Sequence, residues 1–314
     1  MTISTENQEL ASNGAEGSAC DLSVIIPTYK RYGNLAATCG YLSLQTDCRF
    51  EILVVDQTPI EERKIPKIDG IRYFEQNIPS ASAARNLALQ CARADIVLFL
   101  DDDVIIEDSN FLQKHLRHYA DPRVLGVAGA APDLGQSITF LPHRFYREGG
   151  LGWIYFPSNI GWQSWVKVGR SNNLSVRKKE AIACGGMDEQ FEKGAHREEA
   201  DFGLRLNGSK TRILFDPHAQ LIHVGSQEGG IRSWSTEDEP KALHHMVGDL
   251  YFMLRHIPLS QRSEYLLLSF RYFIAPRGIR TSWKFSIRAF ARFCKAWSIA
   301  NSKISGGPRL IQSA

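Results

Sequence analysis

Asp95-Ile-Val-Leu-Phe-Leu-Asp-Asp-Asp103 is a short apolar run that ends in three carboxylates. Its five consecutive apolar side chains, Ile96 to Leu100, predict a strand buried on both faces, as in a sheet covered by helices. Three adjacent like charges at a strand end repel one another, and a bound cation or charged ligand relieves that repulsion. The stretch therefore makes a structural and a chemical statement together.

Towards the N-terminus the same design repeats. Leu22-Ser-Val-Ile-Ile-Pro27, Phe50-Glu-Ile-Leu-Val-Val-Asp56 and Ile71 to Phe74 read as further strands. Between them, Tyr32 to Gln45 has helical apolar spacing (Leu35, Cys39, Leu42). Ser80 is placed to cap a helix through Ala92 that aligns Ala84, Leu87, Ala88 and Cys91. Strands alternating with helices predict right-handed β-α-β crossovers and an α/β fold with a mostly parallel sheet. Ligands of such sheets bind outside the carboxyl ends of the strands. Thr28-Tyr29, Asp56 and Asp101-Asp102-Asp103 all fall there, so three distant segments predict one site.

Towards the C-terminus, residues 132–170 are rich in Gly, Pro and aromatics and read as long loops over the sheet edge. Trp153, Trp162 and Trp165 in that stretch are packing residues or stack on a ligand. Helices are expected over Arg177–Cys184 and Glu199–Leu206, with an extended stretch from Thr211 to Val224. Gly229-Gly-Ile-Arg232 reads as a flexible lid whose arginine meets an anion. The resulting organisation is a disordered leader over 1–20, a catalytic α/β domain over 21–225 and a helical, basic region over 226–314.

Composition narrows the class. Of 314 residues, 43% are hydrophobic and 23% charged, which excludes wholesale disorder, a fibre and a small disulfide scaffold. No apolar run of about 18 residues occurs, so membrane spans are not expected. The first 29 residues hold no Lys or Arg, and the six cysteines include no C-x-x-C pair. Both features favour a cytoplasmic protein with reduced thiols. The net charge of +3 hides an asymmetry: from Arg255 onward eleven Lys/Arg face a single acid, Glu264. A basic end on an acidic body predicts an anionic partner for that end alone.

Several functions are excluded by what the motifs lack. Pro27-Thr-Tyr-Lys-Arg31 offers no glycine for a dinucleotide-binding turn, and no G-x-x-x-x-G-K-[ST] run exists. A nucleotidyltransferase would place a Gly-rich or basic triphosphate loop there. Nucleic-acid binding is not expected, because the basic end carries no zinc-finger or RNP-like motif and interleaves its charges with large apolar residues. A diphosphate handled without a Gly-rich loop points to a divalent ion, Mg²⁺ or Mn²⁺, on the carboxylates.

In chain order, Ser23-Val-Ile-Ile-Pro-Thr-Tyr29, Val54-Val-Asp56, Ser82-Ala-Ala-Arg-Asn86, Phe99-Leu-Asp-Asp-Asp103 and Gly185-Gly-Met-Asp-Glu189 resemble the motifs of family 2 glycosyltransferases. Glu198-Glu-Ala-Asp-Phe-Gly-Leu-Arg205 is similar to that family's E-D-x-D-L-x-x-R acceptor motif. The resemblance covers roughly residues 21–225 and implies a GT-A fold and inverting transfer of a sugar from a nucleotide diphosphate. It implies that Pro27, Thr28, Tyr29 and Asp56 hold base and ribose, with Arg85, Asp101 and Asp102 also at the nucleotide-sugar. Asp101, Asp103 and His223 would meet the metal. The catalytic base falls on Glu199, where the family has Asp, or on Glu198, with Asp201 supporting Arg205 or an acceptor hydroxyl.

The missing Q-x-x-R-W signature favours single-sugar transfer in polysaccharide or glycolipid assembly. A UDP-sugar is the favoured donor and a dTDP-sugar the competitor, with a glycan or lipid-linked sugar as acceptor. The rival reading is a non-catalytic nucleotide-sugar or carbohydrate-binding protein on the same fold. Finally, Trp283, Ile287, Phe290, Cys294 and Trp297 share one face of an expected helix, with Lys284, Arg288, Arg292 and Lys295 along another and Phe285 on the basic side. Such a helix predicts peripheral attachment to an anionic membrane surface, at the inner face of the plasma membrane.

Overall fold

The computed structural model describes residues 20–312 apart from 65–66, 140–150, 152–157, 195, 232–239, 277 and 279–280. The expectations for the 1–20 leader (save Cys20), Trp153 and Arg232 lie outside the described residues.

The N-terminal half forms β1 (Leu22–Thr28), α1 (Tyr32–Ser43), β2 (Phe50–Asp56), β3 (Ile71–Glu75), α2 (Ala81–Cys91) and β4 (Ile96–Leu100). Next come β5 (Val104–Ile105), α3 (Phe111–Leu116), β6 (Gly126–Gly129), β7 (Ser164–Val166), β8 (Asn173–Arg177) and α4 (Lys178–Ala183). The remainder is α5 (Glu198–Asn207), β9 (Ile213–Asp216), β10 (Ile222–His223), α6 (Leu243–His256), α7 (Arg262–Phe273) and α8 (Trp283–Gly306).

The main sheet has the order β3-β2-β1-β4-β8-β6-β9-β7. β3, β2, β1 and β4 are parallel, and β8 and β7 run against their neighbours. The register pairs Thr28 with Asp56, so the polar ends of β1 and β2 share one edge. Successive strand residues point to opposite faces, and both faces are covered here. Ile25, Leu53, Val97 and Phe99 pack with Ala84 and Ala88 of α2 on one side. Val24, Ile26, Val54, Leu98 and Leu100 pack with Leu35, Leu42 and Phe111 on the other.

Four strands, β5 to β8, run through stretches expected as loops or left unassigned. β6 reads Gly-Val-Ala-Gly, which has weak strand propensity on its own. Gly129 is required by close approach, since a Cβ there would lie 2.0 Å from the Ala219 carbonyl oxygen and 2.3 Å from Asn173 Nδ2. β7 crosses the aromatic stretch as an edge strand on β9. Trp165 on β7 lies among Pro122, Arg123 and Lys210, and Trp162 packs on the core, so neither faces the carboxyl ends of the parallel strands. The expected extended stretch 211–224 is two strands in different sheets, separated by a turn after Asp216.

The C-terminal helices do not stand apart. Met246, Leu250, Tyr251 and Phe252 of α6, Tyr265 and Phe273 of α7, and Phe285, Ala289, Ala296 and Ala300 of α8 share one core with Val168, Phe191 and Ala200. Buried carboxylates stitch that contact. Asp188 accepts from Tyr251 Oη at 2.8 Å, from the Arg309 backbone N–H at 2.9 Å and from Arg255. The Gly185-Gly-Met-Asp188 turn thus serves as a clamp on α6 and the chain end.

Asp201 is fully buried and accepts from Arg205 Nη2 and His256 Nε2, each at 2.7 Å, with Arg255 Nη1 at 3.0 Å. Burial alone would raise its pKa, but His256, Arg205 and Arg255 together hold it below the usual value. Removing one member of a buried charged network leaves the others uncompensated, at about 3–5 kcal/mol. Asp201→Asn is accordingly expected to lose about 3 kcal/mol of stability in urea unfolding at neutral pH. Because the folded-state pKa is depressed, this contribution is present above the unfolded value and fades as pH falls through the folded one. The gap between native and variant should therefore close in acid.

Candidate active site

β1 delivers Pro27, Thr28 and Tyr29 to the edge where β4 delivers Asp101, Asp102 and Asp103, and all six line one pocket. The same pocket is lined by Arg31, Gln57, Arg85, Glu198, His223 and Ser226. Asp102 points inward: Thr28 Oγ1 donates to it at 2.7 Å and Arg31 Nη1 lies 3.3 Å away. Burial pushes its pKa up to about 7, against the Thr28 and Arg31 donors. Its contacts make it a brace for β1 and Arg31, beneath the surface a nucleotide would touch.

Arg31 was not expected. The chain reaches it through Lys30, which has the left-handed φ of 56°. Its guanidinium also donates to Asp103 Oδ2 at 3.1 Å, answering from inside the protein the repulsion of the acidic triplet. Further donors reach the Ser226 and Glu228 carbonyls, tying down residues 226–230. Gly229-Gly230, read as a lid, is docked: the Gly230 N–H donates to the Tyr29 carbonyl at 2.9 Å. A Cβ on Gly229 would sit 2.9 Å from the same oxygen, at a φ of +64° that already favours glycine.

Asp101, Asp103 and His223 each offer a ligand atom within 4.8 Å of the others. The antiparallel pairing of β10 with β5 opposes His223 and Val104, which is what brings the histidine beside Asp103. His223 Nε2 lies 3.6 Å from Asp103 Oδ1, while Nδ1 is 2.9 Å from Asp133 Oδ1. A carboxylate on the far ring nitrogen fixes ring orientation and raises ligand basicity, as behind metal-bound histidines. No sequence signal marked Asp133. Asp103 is buried, and its Oδ1 has no hydrogen-bond partner among the described residues. Burial first, then the neighbouring Asp101 charge, push its pKa up. An orphaned buried carboxylate oxygen facing an imidazole and a second carboxylate fits a divalent cation; two oxygens and one nitrogen suit Mg²⁺ or Mn²⁺.

Arg85 projects from α2, whose cap Ser80 accepts from the Ala83 N–H at 3.3 Å. Its Nη2 donates to Asp101 at 3.0 Å, while Nε and Nη1 are buried without a hydrogen-bond partner among the described residues. Those donors suit an anion entering the pocket.

Three expected site residues lie elsewhere. Asp56 is fully buried and accepts from Tyr32 Oη at 2.7 Å, Tyr73 Oη at 2.6 Å and the Thr58 N–H at 2.8 Å. It sits behind Gln57, which lines the pocket. Asp201 does not line this pocket; it sits in the buried network described above, where it meets Arg205 as expected at 2.7 Å. Glu199 is half-exposed and outside the pocket lining, whereas Glu198 is buried within it.

Adjacent helix residues point about 100° apart, so the two glutamates serve different surfaces. The start of α5 is itself held by the C-terminal helices. Arg197, at a φ of 78°, donates through Nε to Asp249 Oδ1 of α6 at 3.2 Å, and His196 stacks on Tyr272 at 5.5 Å.

The architecture is that of the GT-A glycosyltransferases. A mannosyltransferase from Pyrobaculum calidifontis, solved with GDP-Man and Mn²⁺, superposes with a TM-score of 0.52 at 16% identity over 96% of this chain and 85% of that one. TarS of S. aureus, solved with UDP-GlcNAc, gives 0.55 at 14% identity over 88% of this chain and 81% of that one. Residues 23–188 match the model for Glycosyl transferase family 2, and the chain belongs to that family.

It is also 25% identical over 225 residues to an O-antigen biosynthesis protein, RfbC, of Myxococcus xanthus, covering 64% of this chain and 17% of that protein. A glycosyltransferase of Haemophilus influenzae is 31% identical over 199 residues, 59% of this chain and 61% of that one. The pre-mycofactocin glycosyltransferase of Mycobacterium tuberculosis is 26% identical over 224 residues, covering 68% and 44% respectively. The chain thus spans less than two thirds of each of these relatives.

Proposed function

We propose that this glycosyltransferase moves one sugar from a nucleotide diphosphate to an acceptor hydroxyl with inversion, in assembly of a cell-surface polysaccharide or glycolipid. The observation that carries the reading is the convergence of Asp101, Asp103 and His223 with the spare donors of Arg85 at one end of β1 and β4. Mg²⁺ or Mn²⁺ held by those three side chains would neutralise charge on the leaving diphosphate. Arg85 would receive the same diphosphate through Nε and Nη1. Pro27, Thr28, Tyr29 and Gln57 would flank the nucleoside, with Asp56 holding the wall behind them.

The base must stand on the far side of the sugar from the leaving group. As the acceptor oxygen bonds to the anomeric carbon, the carbon–oxygen bond to the diphosphate breaks and its electron pair leaves with the diphosphate. The acceptor's proton passes to a carboxylate. Glu199, half-exposed where an acceptor arrives from solvent, suits that role. Glu198, buried in the donor pocket, suits the donor sugar's hydroxyls. The favoured donor is a UDP-sugar, with a dTDP-sugar next. The O-antigen biosynthesis relative supports a glycan or lipid-linked acceptor.

The test is a hydrolysis screen of nucleotide sugars with Mg²⁺, Mn²⁺ or a chelator, since activated sugars leak to water. Metal-dependent release of nucleoside diphosphate from one donor is expected, with the first-formed free sugar of inverted anomeric configuration by NMR. Absence of both release and nucleotide-sugar binding across the panel would overturn the reading.

A further inference from the structure

Helix α8 packs on the protein through Phe285 and small residues, with Phe293 and Ile299 partly buried beside them, and leaves four other bulky side chains outside. Phe285, Ala289, Ala296 and Ala300 are buried against the core shared with α6. Trp283, Ile287, Phe290 and Trp297 are 68%, 60%, 54% and 39% exposed, with Cys294 exposed between them. Their spacing of four, three, four and three residues keeps them in one stripe along the helix. Phe285, which interrupted the basic side in the sequence pattern, is the residue that anchors the helix. Nine of the fifteen large apolar side chains exposed among the described residues lie between Leu259 and Ile304, so the apolar surface is concentrated in this region.

We propose that this face of α8 is a docking surface for an anionic lipid bilayer, on which the helix lies flat. Lys284, Arg288 and Lys295 are exposed beside the stripe, on its side away from the buried face. Tryptophan at the boundary of an apolar and a charged strip is the pattern of interfacial helices. No helix of the described residues is long and apolar enough to cross a membrane, so contact made by α8 is peripheral.

Charge decides against a second copy as the occupant. The four-three spacing also suits a coiled-coil seam, but α8 carries five Lys/Arg and no Asp or Glu. Lys303 already pairs with Glu192 at 2.9 Å, and a symmetric pair would offer the exposed Lys284 and Lys295 no Asp or Glu from the facing α8. An anionic lipid surface supplies the missing negative charge. The proposal is independent of the transferase reading.

Co-sedimentation of the full chain with vesicles of mixed phosphatidylglycerol and phosphatidylcholine tests it. Binding is expected at low ionic strength and should weaken as the screening length falls from about 30 Å to about 8 Å between 0.01 and 0.15 M salt. Trp283→Ser, Phe290→Ser and Trp297→Ser together should lower binding about tenfold or more. Lys284→Glu, Arg288→Glu and Lys295→Glu together should do the same while keeping the stripe. Both variants alter exposed side chains, so far-UV circular dichroism and thermal unfolding should match the unaltered chain. Equal binding to pure phosphatidylcholine, no binding at low salt, or binding untouched in both variants would overturn the proposal. So would a dimer that the serine variant dissociates without any vesicle binding by the intact chain.

Discussion

Asp103→Ala is expected to lower sugar transfer by about 10²–10³-fold or more, as when one group aimed at developing charge is removed. The side chain contributes twice. Its Oδ1 faces His223 and Asp101 without a hydrogen-bond partner among the described residues, while Oδ2 accepts from Arg31 Nη1 at 3.1 Å and from the Ser226 N–H at 2.9 Å. Alanine would remove a proposed metal ligand and also free the segment that Arg31 and Asp103 tie down. Because the residue is buried, its loss is structural as well. Asp103→Asn separates the two effects, because an amide keeps an acceptor for Arg31 or Ser226 but loses the charge. The check is Mn²⁺ titration by calorimetry beside activity. Both variants should lose metal affinity, and only the alanine should also lower the unfolding midpoint. Normal metal affinity in both would remove Asp103 from the metal site.

Glu199→Gln is expected to cut turnover by about 10²–10⁴-fold, the range of a general base, with the donor KM unchanged. The amide preserves size and loses only basicity. Glu198→Gln should act oppositely, raising the donor KM several-fold with a smaller loss in kcat, because Glu198 lines the donor pocket and Glu199 does not. Steady-state kinetics in which Glu198→Gln is the variant with normal donor KM and lost turnover would exchange the two roles. Dependence on the α6 contact can be read in the same assay. Asp249→Asn, which loosens the Arg197 anchor at 3.2 Å, should lower kcat more than it changes donor KM.

The half of the sheet that frames the pocket was legible in the sequence because β1, β2 and β4 are continuous apolar runs buried on both faces. Their carboxyl ends carried polar residues with no local reason to be there, and the parallel topology implied by alternating helices puts such ends together. That reasoning put Thr28, Asp101 and Asp103 together, and the three line one pocket. It missed β6 and β8, which hold few apolar residues and become strands because their neighbours complete them. Nor could local reading foresee that Asp56 would accept from Tyr32 and Tyr73, or that His256 and Arg255 would join Arg205 on Asp201.

Sequence alone determined the class of fold and the polar residues that close the strand ends, because each depends on periodicity and residue type within a few positions. Only the tertiary structure decided which carboxylates point outward, that Arg31 braces the acidic triplet, that Asp133 stands behind His223, and that α8 buries Phe285 and Ala289 while exposing Trp283 and Phe290. Those outcomes rest on contacts between residues up to about a hundred positions apart, such as Asp133 with His223. Burial and pairing at that range depend on the packed surroundings of a side chain, which its sequence neighbours do not encode.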